Sequence, residues 1–401
     1  MTTVRTALVA GGGIAGPVVA LALRKAGIEP TVFEASTSPA DGVGGTLAIA
    51  PNGVDALRTV GADGAVRAVG LALTRTVMAD SSGRRLGEFA ALSGLPPSLA
   101  VWRSDLQRAL HERALAAGIE VVFGRRVVGA DESDGAVTAR FADGGTATGD
   151  LLVGADGIRS TVRQLIDPHA PGPQHVPLLN FVGVAATAPA EVADASYFVF
   201  GRRAFLGYWS QPDGTTAWFA NVPSQEPLTP AEGRRRPADD WLSYLREIYA
   251  DDTPGRELLA HTDAGSVACL GSLEIMPKLP RWHRGRMVLG GDAVHAPSPS
   301  SGQGASLAAE SAVELARCLR DCPDVTSALT TYESLRRRRV EKVAARAAKT
   351  NNAKAFGPFA VAMMRLMMPL AMRTFLTPER TLGPEQRHRI EWDRPVAAAA
   401  R

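Results

Sequence analysis

Three glycines near the start of the chain have the spacing of a phosphate-binding turn. Gly11 and Gly13 follow the apolar run at residues 7–10, and Gly16 lies in the first turn of the helical pattern at residues 14–26. In a strand–turn–helix unit the first glycine permits a tight turn, the second lets a pyrophosphate approach the backbone, and the third lets helix and strand pack closely. The free N–H groups and positive dipole at the start of the helix also attract phosphate. The pattern predicts a dinucleotide site.

Glu34 supplies the acid that such a site needs. It follows Gly13 by 21 residues, at the end of the next apolar strand. A carboxylate there accepts hydrogen bonds from ribose hydroxyls and disfavours a 2′-phosphate, which argues against NADP at this position. The spacing alone does not separate NAD from FAD, and a glycine-rich turn that binds nothing is the alternative interpretation.

Two further segments carry an adjacent glycine and aspartate directly after an apolar strand. Residues 151–163 contain Asp156 and Gly157, and residues 285–315 contain Gly291 and Asp292. The second segment continues with the stiff Pro297–Pro299 stretch and with Gly302 and Gly304, which precede a helical pattern. The first N–H groups of that helix have no partner within it and can face a ligand.

With these three motifs in this order, the sequence resembles the FAD-dependent aromatic hydroxylase family. These are single-component flavoprotein monooxygenases such as para-hydroxybenzoate hydroxylase and salicylate hydroxylase. The motifs span residues 11–315, most of the chain. The resemblance implies FAD as the bound cofactor, NADPH or NADH as a transient reductant, and O2 as a co-substrate. It assigns neither a catalytic side chain nor a metal ligand.

The resemblance also assigns cofactor contacts motif by motif. It places the FAD pyrophosphate at the first glycines, the adenosine ribose at Glu34, the adenine near Val127, and the ribityl and phosphate region at Asp292. Ser306 stands where relatives often have asparagine, and we expect serine to be tolerated because it can also donate a hydrogen bond. The predicted cofactor-binding residues are Gly11, Gly13, Ala15, Gly16, Glu34, Arg103, Val127, Asp156, Gly157, Gly291, Asp292, Pro299, Gly302 and Gly304.

The elements that must position these residues form a split α/β pattern. Strand, helix and strand at residues 5–33 make one βαβ unit. Alternating aromatic segments between Pro177 and Met276 indicate a mostly antiparallel sheet with a helix near residues 241–249. We therefore predict an α/β composite, in which a Rossmann-type FAD-binding domain (1–175 and 280–350) carries an inserted substrate-binding sheet (176–279) and a C-terminal helical segment (351–401).

The inserted sheet is the predicted wall of a substrate site. The predicted substrate-binding residues are Phe205, Tyr208, Trp209, Trp218 and Pro299. For any single aromatic residue, packing within the sheet is the competing interpretation. The methionines Met363, Met364, Met367 and Met368 have helical spacing, which suits helix packing or a flexible lid over a bulky apolar substrate.

Composition excludes several classes of function. The formal net charge is +3 over 401 residues, and the single dense basic cluster, residues 336–339, is interpreted as a solvated helix face, so no nucleic-acid partner is predicted. No apolar run long enough to span a membrane is free of charges. Three cysteines without a C-x-x-C pair, and no signal-peptide pattern, favour a cytoplasmic protein. We expect a monomer or homodimer with a small aromatic molecule as its partner.

The sequence thus predicts an FAD-dependent, NAD(P)H-consuming monooxygenase. The resemblance implies that it hydroxylates or epoxidises an aromatic or polycyclic small molecule by way of a flavin C4a-hydroperoxide, in natural-product tailoring or aromatic catabolism. Two alternatives stay open. One is a flavin oxidase or reductase of the same fold that inserts no oxygen, and the other is a non-catalytic flavin-binding sensor.

Overall fold

The apolar run before the first glycines lies in the middle of a six-stranded sheet. The computed structural model describes residues 4–38, 44–187, 194–352, 363, 367 and 377–396. In spatial order the strands of this sheet are β18 (His283–Arg284), β19 (Met287–Leu289), β12 (Leu151–Gly154), β1 (Thr6–Ala10), β2 (Glu29–Phe33) and β8 (Glu120–Val122). All neighbours are parallel except β18 and β19. Parallel strands are covered on both faces, which explains the continuous apolar runs in β1 and β12.

In the described part of the chain, seven helices surround this sheet and its loops. They are α1 (Ala15–Lys25), α2 (Pro51–Thr59), α3 (Asp63–Val69), α4 (Arg103–Ala116), α5 (Thr161–Ile166), α9 (Gly304–Asp321) and α10 (Val325–Asn352). Helix α1 packs against α9 and α4, and α9 also packs against α2 and α10. Nearly every residue of α9 is buried, as its apolar and small side chains on all sides require.

Two small antiparallel sheets flank the six-stranded sheet. One consists of β3 (Thr46–Ile49), β7 (Ser98–Trp102) and β4 (Leu71–Leu73), and the other of β11 (Thr146–Gly149), β10 (Ala136–Phe141) and β9 (Val127–Ser133). Phe141 of β10 packs against Phe33 at the end of β2, with ring centroids 4.7 Å apart. The second small sheet therefore lies beside the strand that leads to Glu34.

The segment predicted as an inserted sheet forms most of a seven-stranded sheet. Its spatial order is β17 (Ala268–Ile275), β13 (Gln174–Ala185), β16 (Thr216–Pro223), β15 (Phe205–Ser210), β14 (Ala195–Phe200), β5 (Arg75–Asp80) and β6 (Arg85–Ala90). The pairs are antiparallel except β14 with β5. Three helices, α6 (Pro230–Arg235), α7 (Ala238–Ile248) and α8 (Thr253–Ala260), accompany it. The predicted helix near residues 241–249 corresponds to α7.

The β5–β6 hairpin differs from the sequence-based division of the chain. The predicted bounds assign this hairpin to the first part of the FAD-binding domain, residues 1–175. The structure instead pairs β5 with β14, so the hairpin forms the edge of the seven-stranded sheet. More than a hundred residues separate β5 from β14, so no local pattern indicates this pairing. The α/β composite itself, with one parallel and one mostly antiparallel sheet, is confirmed.

The described end of the chain forms two short helices, α11 (Pro378–Thr381) and α12 (Gly383–Gln386). Within the predicted C-terminal segment, Met363 and Met367 are exposed, while Met364 and Met368 lie outside the described residues, as does most of the proposed lid. Among the described residues, no helix is long and apolar enough to cross a membrane.

Candidate functional site

The first glycine turn lies between β1 and α1. Gly11 has φ +100°, and a Cβ on it would lie 2.5 Å from Ala155 O. A Cβ on Gly16 would overlap Gly11 O, so the third glycine lets α1 pack against the turn. A Cβ on Gly13 would meet no atom within 4 Å. The first and third glycines are therefore required by packing, and the second leaves open the space that a pyrophosphate needs.

Side chains form hydrogen bonds with both the N–H and the carbonyl oxygen of Gly12 in this turn. Glu34 Oε2 accepts a hydrogen bond from Gly12 N at 2.6 Å, and Glu34 Oε1 accepts one from Ser36 N at 2.7 Å. Gly12 O accepts a hydrogen bond from Gln107 Nε2 at 3.1 Å and contacts His111 Nε2 closely. Gln107 and His111 were not predicted from the sequence. Their signal was two polar residues four apart on α4, which places both on one face of the helix.

Asp156 lies next to the first turn, but its carboxylate serves helix α5. It accepts hydrogen bonds from Ser160 Oγ, Thr161 N and Val162 N, and burial raises its pKa. Gly157 follows with φ +77° and open space around its missing Cβ. The structure thus gives Asp156 a role in shaping the turn that touches Gly11, while a direct contact of Asp156 or Gly157 with the cofactor stays a prediction.

The second Gly–Asp pair comes close to the first glycine turn. Gly291 has φ +58°, and a Cβ on it would lie 2.5 Å from Ala15 Cβ. The Asp292 side chain is exposed to the cleft. Desolvation by the surrounding protein raises the pKa of its carboxyl group, and the positive charge of Arg103 acts to lower that pKa. Arg103 begins α4, is exposed, and forms no ion pair with a described carboxylate. The structure therefore brings Gly13, Ala15, Arg103 and Asp292 to one cleft.

The remaining predicted cofactor residues lie on β9 and in the segment that leads into α9. Val127 begins β9, is buried and is paired with Phe141 beside the end of β2. Pro299 begins a single 3-10 turn, Gly302 adopts φ +60°, and α9 begins at Gly304, whose missing Cβ faces open space. Ser306 is fully buried and accepts a hydrogen bond from Ala50 N at 3.0 Å, so it joins β3 and α2 to α9.

An aromatic cavity of about 450 Å³ adjoins the Pro299–Gly302 loop. Strand β3, the seven-stranded sheet, helix α10 and the α11–α12 segment also line it. The sheet contributes Phe89, Phe198, Phe200, Phe205, Trp209 and Phe219. Three of the five predicted substrate residues, Phe205, Trp209 and Pro299, therefore lie at this cavity.

The other two, Tyr208 and Trp218, do not line the cavity, which corrects their predicted role. They are cross-strand partners on the opposite face of the sheet, in the core that α7 and α8 cover. Trp218 is fully buried and its Nε1 donates to Thr262 Oγ1 at 3.1 Å. Neighbouring residues of a strand point to opposite faces, so Trp209 and Phe219 face the cavity where Tyr208 and Trp218 cannot.

The basic cluster on α10 is part of the site's support. The solvated helix face predicted for residues 336–339 is wrong for Arg336, which is 1% exposed, and for Arg339. Both donate to Glu310 on α9 at 2.7 Å. Burial acts to raise the pKa of Glu310, but the two guanidinium groups lower it to about 2. A cluster of four arginines read alone gives no sign of a buried acid 26 residues earlier.

Glu310 connects the cavity walls. Its carboxylate also accepts a hydrogen bond from Asn52 Nδ2 at 2.7 Å, and Asn52 Nδ2 donates to Gln303 Oε1 at 2.9 Å beside the Pro299–Gly302 loop. Arg339 donates to Glu385 O at 2.9 Å, which fixes the α11–α12 segment over the cavity. Leu382, Glu385 and Gln386 of this segment line the cavity and were not predicted from the sequence.

His295 precedes the Pro299–Gly302 loop in the chain and does not line the aromatic cavity. It is buried, its Nε2 is 2.9 Å from Ser311 Oγ, and it borders a separate cavity of about 180 Å³. Burial, with the nearby charge of Arg336, lowers its pKa to about 3. A histidine that stays neutral and faces away from the aromatic cavity acts in packing.

The sequence profile described as "FAD binding domain" matches residues 4–347, so this chain belongs to that family, the FAD-dependent aromatic hydroxylase-like monooxygenases. It is an FAD-dependent oxidoreductase. The chain is 32% identical over 341 residues (84% of this chain, 86% of the relative) to the aurachin C monooxygenase/isomerase of Stigmatella aurantiaca. It is 31% identical over 353 residues (86% and 88%) to an FAD-dependent urate hydroxylase of Klebsiella pneumoniae.

A solved structure agrees with the fold. Klebsiella pneumoniae HpxO, complexed with FAD and uric acid, superposes with a TM-score of 0.80 and 26% identity over 91% of this chain and 93% of that one. The predicted cofactor, FAD, is thereby confirmed for the family.

Proposed function

We propose that this protein is an NAD(P)H-consuming monooxygenase that hydroxylates or epoxidises an aromatic or polycyclic small molecule. The observation that carries the proposal is the 450 Å³ cavity, which is lined by six aromatic side chains and adjoins the loop that begins α9. Apolar pockets with a few placed polar groups are typical of small-molecule sites. The relatives described as a monooxygenase/isomerase and a urate hydroxylase support the reaction class.

The residues around the cleft fit FAD. The open space at Gly13 suits a pyrophosphate, which the positive charge of Arg103 and the N-terminus of α1 attract. Glu34 would accept hydrogen bonds from the adenosine ribose, and Asp292 would accept them from the ribityl chain. When bound, FAD supplies the redox chemistry, because it takes electrons from NAD(P)H and passes them to O2 for transfer of one oxygen atom to the substrate.

The chain's own contribution is to position the substrate and exclude water. Rings on the sheet stack against an apolar substrate, and the Pro299–Gly302 loop and α12 close the cavity on two other sides. Ionisable residues described at the cavity, Arg75, Arg346 and Glu385, belong to ion pairs. We therefore assign no proton transfer to a side chain. With FAD bound nearby, the N–H groups at the start of α9 would stabilise negative charge on the cofactor.

The first test is the visible spectrum of the purified protein, followed by anaerobic addition of NADPH or NADH. A yellow protein whose flavin bands bleach, and bleach faster with an aromatic ligand present, supports the proposal. A flavin spectrum that persists with both reductants contradicts the reductant assignment.

The second test separates oxygen insertion from its alternatives. Product formed under 18O2 that retains one label identifies a monooxygenase. Consumption of NAD(P)H and O2 that yields only peroxide identifies an oxidase of the same fold. No turnover with any candidate substrate favours a flavin-binding sensor. A role in natural-product tailoring is the role we propose, supported by the aurachin C relative; catabolism of aromatic compounds is the second candidate, supported by the urate hydroxylase.

A further inference from the structure

The cavity face of the sheet carries one pair of carboxamides among its aromatic rings. Asn180 of β13 and Asn221 of β16 are cross-strand partners, and Phe205 of β15 is the next partner of Asn221. All three line the cavity. Val182 follows Asn180 by two residues on β13 and therefore lies on the same face of the sheet. Val182 is close to Gly45, because a Cβ on Gly45 would be 2.9 Å from Val182 Cγ1. Gly45 O in turn accepts a hydrogen bond from Arg103 N at 3.0 Å, so the pair lies at the cavity end nearest Arg103, a predicted cofactor residue.

The hydrogen bonds of the pair fix which atom of Asn180 is free. Asn221 Nδ2 donates to Ala220 O at 3.2 Å and to Asn180 Oδ1 at 3.0 Å. A carbonyl oxygen only accepts, so the atom of Asn221 beside it must be nitrogen. The atom of Asn180 that Asn221 Nδ2 meets is then oxygen, and the Asn180 amide group is left as the free donor.

No described residue accepts a hydrogen bond from Asn180 Nδ2, and the side chain is only partly buried. Other polar side chains that the sheet presents to the cavity have partners: Thr74 with Asp194, Thr76 with Ser196, and Asn221 with Asn180. An apolar ligand that covers a free amide donor displaces the water bound to the donor and leaves the donor without a hydrogen bond. A ligand with an acceptor atom replaces the hydrogen bond of that water.

We infer that Asn180 is a specificity-determining residue that donates a hydrogen bond to a ring carbonyl or ring nitrogen of the substrate, with Asn221 as its positioning residue. This inference rests on the proposed function and deepens it. The substrate class becomes an aromatic ring system with an acceptor at the edge nearest the cofactor, and an apolar remainder that extends along Phe198, Phe219 and Trp209.

The test measures binding to the FAD-loaded protein by the change in flavin absorption. The probes are 1-tetralone and tetralin, which have the same two rings and differ in one carbonyl oxygen. The wild-type protein is expected to bind 1-tetralone at least about tenfold more tightly than tetralin. Asn180→Leu is expected to abolish this preference and Asn180→Asp, which replaces the donor with an acceptor, to reverse it.

Gln164→Leu is the matched control, because it removes an exposed carboxamide on α5 outside the cavity and should leave the preference unchanged. Retained flavin bands and an unchanged melting temperature establish that each variant is folded. If the wild-type protein shows no preference for the ketone, or if Asn180→Leu and Asn180→Asp keep it, Asn180 is not the recognition donor.

The outcome is independent of the reaction. A lost preference in both Asn180 variants, alongside a flavin that NAD(P)H does not reduce, supports the recognition role and overturns the proposed function. If the Asn180 variants keep the preference for the ketone and the protein forms labelled product from 18O2, the proposed function is supported and the recognition role is overturned.

Discussion

The cofactor turns and the seven-stranded sheet use their residues in opposite ways. At the turns the backbone provides the site, and glycine is required because Gly11 and Gly16 have neighbours where a Cβ would stand. On the sheet the side chains provide the site, and the face on which each one lies decides its role. A local motif therefore suffices to locate the first region, while the second depends on which face the helices α7 and α8 cover.

Two adjacent residues give the strongest test of this difference. Trp218 is fully buried in the helix-covered core and Phe219 lines the cavity. Trp218→Ala is expected to lower the free energy of unfolding by about 3 to 5 kcal/mol, since it empties a core position and leaves Thr262 without its donor. Phe219→Ala should cost less stability and mainly weaken aromatic ligands. Denaturant unfolding and ligand titration measure both, and equal stability losses would contradict the assignment of faces.

The first glycine turn provides a second pair of substitutions, at Gly16 and Gly13, with contrasting expected effects. Gly16→Ala forces a Cβ against Gly11 O and is expected to destabilise the apoprotein by about 3 kcal/mol. Gly13→Ala meets no protein atom, so the apoprotein should keep its melting temperature. The new methyl group nevertheless occupies the space assigned to the pyrophosphate, and FAD should bind at least about tenfold more weakly. Unchanged FAD affinity in Gly13→Ala would remove the pyrophosphate from this turn.

Glu310 connects the segment beside the Pro299–Gly302 loop to the α11–α12 segment, and its removal should affect both regions. Its folded-state pKa of about 2 lies below the ordinary value of 4.5. A carboxylate with a lowered pKa stabilises the fold above its ordinary pKa, and that contribution, about 3 kcal/mol, is lost as the pH falls from about 5 toward 2. Glu310→Gln should therefore be less stable at pH 7 and show a flatter dependence of stability on pH across that window. Parallel curves for the two proteins would contradict the buried ion pairs.

A glycine on the sheet behaves like those of the turn. Gly207 lies under the Phe219 ring, which a Cβ would overlap. We expect Gly207→Ala to push this ring into the cavity, at a cost of about 1 to 3 kcal/mol of stability, and to weaken bulky ligands more than small ones. Affinities for one-ring and three-ring probes measure the effect. A uniform loss across probes would indicate general destabilisation instead.

The smallest expected effect concerns the one ion pair described between the Asp156–Gly157 turn and the seven-stranded sheet. Arg159 Nη2 is 2.8 Å from Glu274 Oε2, and the arginine side chain is 58% exposed. Exposed pairs contribute less than about 1 kcal/mol and weaken in salt. A double-mutant cycle with Arg159→Ala and Glu274→Ala should therefore give a coupling energy below that value. A larger, salt-independent coupling would mean that the two regions are joined more rigidly than their contacts indicate.

The glycine turns could be predicted from the sequence better than the cavity, for physical reasons. Gly11 and Gly291 adopt positive φ angles that favour glycine, so the residue type and its place after an apolar strand locate them. The cavity brings together residues distant in the chain, such as Asn180, Arg346 and Leu382. Alternation in the aromatic strands showed that two faces exist but not which one packs on helices, and this is why Tyr208 and Trp218 were misassigned. The buried partners of Arg336 had no local signal.

The strand order of the parallel sheet also has a consequence for biosynthesis. Strand β1 lies between β2 and β12, and β12 in turn needs β19, at residues 287–289. At about 5 to 20 residues per second, roughly 15 to 60 s separate the emergence of β1 from that of β19. During that interval the nascent chain exposes an apolar strand edge, and the turn at Gly291 does not yet exist. We therefore expect flavin to be loaded only after synthesis has passed Gly291, and chaperones that cover strand edges to raise the yield of active protein.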